Sequence, residues 1–199
     1  RDSTLPMERL NKHPWDFTHG VIHDSLAKLR NSKHKDLLSV FDSITQGIRT
    51  GANRVFVLSD APDIESEHLI PFVGGENIRR LRINESHPQL VFPYIINALG
   101  GIRLLTEHEL EQKPGLRGYL LEHRRELEER TRDSEPWYSY SRSQNLGVFS
   151  IRKVLVREMM PRAEFAADFE GKYAFSSGYT LLASSLSDED LLMWTAVLN

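Results

Sequence analysis

The chain has 199 residues, of which 40% are apolar and 27% charged, and this balance is typical of a folded domain rather than of a disordered chain. It contains no cysteine, which excludes disulfides, thiolate zinc sites and cysteine nucleophiles. No apolar run approaches the roughly 18 residues that a membrane-spanning helix needs. We expect a cytoplasmic protein. Because the sequence starts at Arg1 and stops within a helical pattern, we also expect it to be part of a longer one.

The first 45 residues favour helices. Asp24 and Asp36 can cap two short helices, and the second would carry apolar residues between 37 and 41. Residues 14–17, which include Trp15 and Phe17, predict an anchor that packs this segment onto another surface. We therefore divide the chain into a helical N-terminal segment or linker, residues 1–45, and a second domain, residues 46–199.

From residue 46 the pattern changes to strands separated by Gly-rich turns. Strands are predicted at 54–58, 70–75, 77–83, 89–96, 149–157 and 165–169, and a hairpin is predicted to join 172–175 to 179–183. Mixed or antiparallel sheets with flanking helices follow from this order, so the predicted fold class is α+β.

Three helices are predicted in this second domain. Thr106 and Glu109 form a capping-box pattern at the start of a short helix. The clearest helix runs over 116–132, with Leu116, Leu120, Leu121 and Leu127 as its apolar stripe. Residues 187–190 are suited to cap a last helix.

Positive charge is concentrated in three segments, 44–58, 77–103 and 136–157, while the acids gather elsewhere. The third begins with the stretch PWYSYSRSQ, residues 136–144, which combines rings, hydroxyls and an arginine without any acid. If the three segments meet, they form one positive face that suits nucleic acid. The alternative is that the basic residues cover the solvated face of a sheet and that the rings belong to the core.

No catalytic constellation emerges from the sequence. His19 and His23 have helical metal spacing but lack the glutamate of a metallohydrolase motif, so a surface pair is favoured. The glycines match neither a P-loop nor a dinucleotide fingerprint, and Ser177 lacks the flanks of a nucleophile elbow. Asp168 and Glu170 can form a carboxylate pair, although Gly171 favours a turn there.

Several segments, taken in order, resemble one family. The segments are QGIRTGANRVFVL (46–58), VGGENIRRLRI (73–83), LVFPY (90–94), YLLEHRRELEER (119–130) leading to Trp137 and Tyr138, the basic strand 150–156, FAADFEG (165–171) and DLLMWTAVLN (190–199). Together they look like the target-recognition domain of Taq-like adenine-N6 DNA methyltransferases. The version in type IIG restriction–modification enzymes and related phage-defence methyltransferases is the most similar.

The resemblance implies a non-catalytic role for this chain. In that family a separate catalytic domain binds S-adenosylmethionine and flips the target adenine out of the duplex. The Asn-Pro-Pro-Tyr-type motif of that domain is absent from this sequence, and residues 92–94 belong to a strand pattern. This domain is therefore expected to bind double-stranded DNA and read bases for a catalytic domain of the same chain, with a nuclease domain as a further option.

The expected DNA contacts are polar or basic residues in turns, in the PWYSYSRSQ loop and on the basic strands: Thr50, Asn53, Arg54, Arg79, Arg80, Tyr140, Arg142, Ser143, Gln144, Asn145, Lys153, Ser176 and Ser177. Trp137 and Tyr138 match the family motif and are expected to lie half in the core, where they set the angle of the loop.

Two other functions stay open. A protein-interaction or assembly module of a larger bacterial enzyme would expose Trp15, Phe17 and Trp194 as an apolar patch. A small hydrolase or sugar-binding domain would place Asp168 and Glu170 in a cleft near Trp137, but the arginines around Trp137 favour an anionic ligand.

Overall fold

A computed structural model of the chain describes residues 36–60, 63–84, 88–97, 100–130 and 136–199. The contacts divide the chain into two units, Arg1–Asp36 and Leu37–Asn199, and the second is described below. The helix predicted to start at Asp24, the anchor at Trp15 and Phe17, and the His19–His23 pair lie outside the described residues.

The first sheet has four antiparallel strands in the order β1-β12-β9-β10. Its strands are β1 (Ser43–Gln46), β9 (Lys153–Arg157), β10 (Phe165–Asp168) and β12 (Gly178–Leu182). β1 pairs with β12, with Ile44 opposite Leu181. The compact unit therefore begins at Leu37 rather than at residue 46, because residues before 46 complete a sheet with strands from the end of the chain.

The second sheet also has four strands, in the order β11-β3-β6-β2. Its strands are β2 (Val57–Leu58), β3 (Leu69–Val73), β6 (Gln89–Val91) and β11 (Ala174–Phe175). β11 runs parallel to β3, whereas the other pairs are antiparallel. Two small hairpins complete the β-structure, β4 (Ile78–Arg79) with β5 (Arg82–Ile83), and β7 (Tyr94–Ile96) with β8 (Ile102–Leu104).

The described helices are α1 (Asn53–Phe56), α2 (Glu107–Glu111), α3 (Pro114–Glu122), α4 (Arg124–Glu129) and α5 (Asp188–Leu198). Short 3₁₀ turns lie at Leu37–Ser39, Ser66–His68, Gly75–Asn77 and Leu146–Ser150. Helices and mixed sheets occur together, and the predicted α+β class is confirmed.

Local capping signals worked as predicted. The Thr106 hydroxyl accepts from the Glu109 amide at 3.3 Å, and the Thr106 amide donates to the Glu109 carboxylate at 2.9 Å, which completes the capping box of α2. Ser187 accepts from the Asp190 amide at 3.1 Å and caps α5. Each cap satisfies backbone amides that the first helical turn leaves without a partner.

The predicted long helix over 116–132 is two helices, broken at His123. Leu116, Leu120 and Leu127 are fully buried and pack with Phe56 and the second sheet in the largest core cluster. Leu121 is 38% exposed. Leu121 follows Leu120 directly in the same helix and so points about 100° away from it around the helix axis, which turns its side chain away from the core.

Several predicted strands are shorter or differently paired. Residues 53–56 form a helical turn before the short β2, and the predicted strand 89–96 divides into β6 and β7 at Phe92 and Pro93. The predicted strand 149–157 begins only at Lys153, after a 3₁₀ turn. Residues 77–83 fold into the β4–β5 hairpin, because Leu81 adopts a positive φ of 63° that turns the chain back.

The predicted hairpin between 172–175 and 179–183 is wrong. β11 belongs to the second sheet and β12 to the first, so residues 176–177 carry the chain from one sheet to the other. Residues 47–48 make the same passage beside them, since Ile48 N donates to Phe175 O at 2.7 Å and Gly47 N donates to Gly178 O at 3.4 Å. This double crossing is where the candidate site lies.

Candidate nucleic-acid interface

An open groove with a volume of about 790 Å³ follows the double crossing. Its lining comes from three segments, residues 46–53, 141–142 and 176–179, together with Glu158. Arginine, hydroxyl and amide groups and glycine backbone dominate this surface. The groove therefore offers many hydrogen-bond donors to a ligand that enters it.

Glycine is required at the crossing. A Cβ at Gly47 would collide with the backbone oxygen of Phe175, and a Cβ at Gly178 would collide with the backbone oxygen of Val156. Glycine thus lets residue 47 approach the strand end at Phe175, and lets β12 lie close against β9.

The wall that precedes α1 is a tight turn. Gly51 has φ of +76°, which a residue without Cβ adopts at low cost. The Thr50 hydroxyl donates to Asn53 Oδ1 at 2.6 Å and accepts from the Ala52 amide at 3.1 Å. Thr50 is buried, so its side chain holds the turn and the predicted DNA contact at Thr50 is corrected to a structural role. Asn53 is exposed and keeps its amide donors for a ligand.

The PWYSYSRSQ loop is attached to this turn. Ser141 N donates to Thr50 O at 2.9 Å, and Arg49 and Arg142 form an antiparallel bridge. Asn145 Nδ2 donates to Gln46 O at 3.0 Å, which ties the end of the loop to β1. A smaller cleft beside the groove includes Gln144. Two arginines that are far apart in the sequence thus become neighbours.

These two arginines have little local neutralisation. Arg49 Nη2 donates to the neutral Gln46 Oε1 at 3.0 Å. Arg142 is exposed, and within the described parts of the chain its guanidinium has no hydrogen-bond or ion-pair partner. Among the described residues that line the groove, Glu158 is the one acid. The groove therefore has a net positive lining.

Most other basic residues of the predicted positive face are paired with acids. Arg54 Nε lies 2.8 Å from Glu126, Arg103 lies 2.6 Å from Glu109, and Arg157 lies 2.9 Å from Glu164. Arg152 pairs with Asp188. Hydrogen bonding to Glu126 raises the pKa of Arg54, and hydrogen bonding to Glu109 raises the pKa of Arg103. Of the three basic segments, the first and the third meet in the groove through Arg49 and Arg142.

Arg79 and Arg80 lie on a different part of the surface. Their hairpin joins β10 through a hydrogen bond from Leu81 N to Phe165 O at 2.9 Å. Arg79 donates to its neighbouring carbonyl, Ile78 O, at 2.8 Å, and Arg80 is exposed. Neither side chain lines the groove, and DNA contact by these two residues stays a prediction.

Two predicted DNA contacts are buried and take structural roles. Tyr140 is 1% exposed, and its hydroxyl donates to Val91 O at 2.7 Å. Burial raises the pKa of Tyr140 well above its usual range. Lys153 is 0% exposed and pairs with Asp168 at 2.7 Å, and its burial lowers its pKa although Asp168 opposes that shift. Neither side chain can reach a duplex from these positions.

The remaining predicted residues divide between surface and interior. Ser143, Gln144, Asn145 and Ser177 are exposed, whereas Ser176 is buried although it lines the groove. Ser177 has a positive φ of 60° at the crossing between the sheets. Tyr138 is fully buried and donates to Leu105 O at 2.7 Å, and Trp137 is half-buried under the guanidinium of Arg124.

Sequence patterns missed Arg49, Gln46, Glu158 and Tyr179, which all line the groove. They also missed Arg130, which donates to Thr50 O at 2.6 Å, Trp137 O at 3.0 Å and Ser139 O. This guanidinium connects the turn at Thr50 to the loop that carries Arg142. The resemblance drew attention to this helix end, but only the fold shows which carbonyls it meets.

The rival carboxylate site is not formed. Asp168 is buried and is used by Lys153 and by the backbone amides of Lys172 and Tyr173. It is not available as one of a catalytic pair. Across the residues that the structure describes, no group of three or more His, Asp or Glu side chains is arranged to hold a metal ion.

None of the described helices has the length and apolar character that crossing a membrane requires. No protein-family model matches the chain, and no curated protein matches it either.

Proposed function

We propose that this domain binds double-stranded DNA through the groove and recognises a target sequence for an adenine-N6 methyltransferase. The observation that carries the proposal is the pair Arg49 and Arg142, which the fold brings together without a neutralising acid beside either guanidinium. Exposed Asn53 and Ser177 line the same groove, and exposed Ser143 and Gln144 directly follow Arg142 in the chain. Arginine, amide and hydroxyl groups are the side chains that bind phosphates and base edges.

The methyltransferase part of the proposal is supported by the resemblance described above. S-adenosylmethionine would supply the methyl group in a catalytic domain of the same protein. This chain does not fit that cofactor, because its sequence has neither a glycine-rich nucleotide fingerprint nor the Asn-Pro-Pro-Tyr-type motif. Its residues are assigned binding and orientation of the duplex, in the cytoplasm, within a restriction–modification or phage-defence enzyme.

A chain with net charge −3 needs a local concentration of cations to attract a polyanion. The ion pairs on the rest of the surface reduce non-specific attraction there, whereas the groove retains it. This distribution favours binding in one orientation rather than over the whole surface. A catalytic domain that contributes further phosphate contacts would add to the grip.

The test is fluorescence-anisotropy binding of the 199-residue chain to a pool of random duplex DNA at two salt concentrations. Affinity falls as salt rises, and the double substitution Arg49→Ala/Arg142→Ala should make this dependence shallower. The magnitude of the slope of log affinity against log salt should decrease by up to about 2, since each lost phosphate contact removes about 0.9. The control is Arg117→Ala/Arg125→Ala, which removes the same charge from exposed helical positions. Equal losses in both variants, or no salt-dependent binding of the folded wild-type chain, would contradict the proposal.

A further inference from the structure

The negative charge of Glu158 is not what a groove that binds only phosphate requires. It follows β9, lines the groove, and its backbone amide donates to Ser177 O at 3.3 Å. Its side chain is exposed, and no residue in the described parts of the chain forms an ion pair or hydrogen bond with its carboxylate.

A carboxylate repels phosphate. Like charges repel each other, and this repulsion would oppose the attraction from Arg49 and Arg142. A carboxylate instead accepts hydrogen bonds from donors. In the major groove of DNA the base donors are the amino groups of cytosine and adenine.

Arg142 needs hydrogen-bond acceptors, whereas Glu158 needs donors. Its guanidinium is exposed and unpartnered in the described parts of the chain, and its backbone is held by the bridge to Arg49. Arg49 differs because Gln46 already occupies one of its amino groups. Arg142 thus retains the whole fork of donors, which needs two adjacent acceptors.

One base pair presents the required order of groups. Across the major-groove edge, a G·C pair presents two guanine acceptors, N7 and O6, followed by the cytosine N4 donor. An A·T pair presents an acceptor, a donor, an acceptor and a methyl group, which places no two acceptors side by side for an arginine fork. An arginine and a carboxylate that line the same groove therefore suit a G·C pair.

From these observations we infer that the groove reads a G·C base pair, with Arg142 donating to guanine and Glu158 accepting from cytosine. This inference rests on the proposed function and specifies what the same site recognises. Glu158 is a specificity-determining residue in this arrangement, and the net cationic lining supplies the affinity.

The experiment is selection of binding sites from a pool of random duplexes by the 199-residue chain, followed by anisotropy measurements on matched duplexes that differ at one pair. The wild-type chain should select a fixed G·C pair. Glu158→Gln should relax the preference for that pair by at least about five-fold, the lower limit for a good base contact. Arg142→Lys should relax the same pair, because lysine lacks the fork.

Glu189→Gln is the matched control. Glu189 is an exposed glutamate in the first turn of α5 and does not line the groove, so its substitution should leave the selected sequence unchanged. Circular dichroism and urea midpoints establish that each variant is folded.

Two outcomes overturn the inference while the proposed function stands. Glu158→Gln selects the same sequences as wild type, or it raises affinity for every duplex by the same factor, as expected for a carboxylate that only repels phosphate. A folded wild-type chain that binds no duplex at low salt overturns the proposed function, and the G·C inference with it.

Discussion

Arginines are exposed both on α4 and in the groove, yet their surroundings differ. On α4, Arg124 lies 2.8 Å from Glu128 and Arg125 lies 3.0 Å from Glu129, each four residues further along the helix. In the groove, Arg142 has no such partner among the described residues. The number of arginines in a segment therefore says less about an anion site than the acids that surround each one.

This difference has a structural origin. Helical geometry places residues i and i+4 side by side, so a helix that alternates arginine and glutamate neutralises itself. The groove is built from segments that cross between two sheets, where local geometry does not provide a partner. Its arginines are brought together by the bridge between Arg49 and Arg142, and their charges add.

The largest effect is expected at Lys153, because it is basic but internal. Lys153→Met leaves the buried Asp168 carboxylate without its cation, and breaking a buried pair from one side typically costs about 3–5 kcal/mol. Urea denaturation should show a loss of that size. DNA binding of the variant, measured where it is folded, should keep the salt slope of wild type. A stable variant with a reduced slope would instead make Lys153 a surface contact.

A smaller but still large loss of stability is expected for Arg130→Ala. The substitution leaves the carbonyls of Thr50, Trp137 and Ser139 without the guanidinium donor. Each unsatisfied polar group costs about 1–3 kcal/mol. We expect the free energy of unfolding to fall by at least about 2 kcal/mol. Arg125→Ala, which removes only an exposed pair, should change it by less than about 1 kcal/mol. Equal stability of the two variants would refute this role for Arg130.

These two residues also indicate how far sequence reasoning reaches. Caps at Thr106 and Ser187 were predictable because the interacting residues lie within one helical turn. The partner of Lys153 is 15 residues away and those of Arg130 include one 80 residues away. Such contacts depend on the packing of the sheets, which no local pattern encodes.

The same limit applies to the site. The stretch around Arg142 attracted attention through its composition, but its neighbour Arg49 and the acid Glu158 enter the groove only because β11 and β12 belong to different sheets. The hairpin predicted there would have placed these residues elsewhere. Leu81 is comparable, since a leucine with positive φ has no signal in its residue type.

Glu126→Gln sharpens the comparison of the two surfaces. Arg54 follows Asn53 of the groove wall, and it is paired with Glu126, 72 residues away. Removing the charge of Glu126 should free Arg54 and increase the salt slope of duplex binding by up to about 0.9, the contribution of one added phosphate contact. Glu129→Gln frees Arg125, which does not line the groove, and this substitution should leave the slope unchanged. The idea fails if both substitutions strengthen binding equally.

The smallest expected effect is a pH dependence at Glu164. Hydrogen bonds from Arg157 and Arg162 hold the pKa of Glu164 below its ordinary value near 4.5. A lowered pKa in the folded state means that the contribution to stability is present above that ordinary value and is lost as the pH falls through the folded value. Glu164→Gln should therefore be less stable than wild type at pH 7, and urea denaturation should show this difference shrinking as the pH falls below 4.5. A constant difference between the two proteins at all pH values would assign the effect to packing rather than to charge.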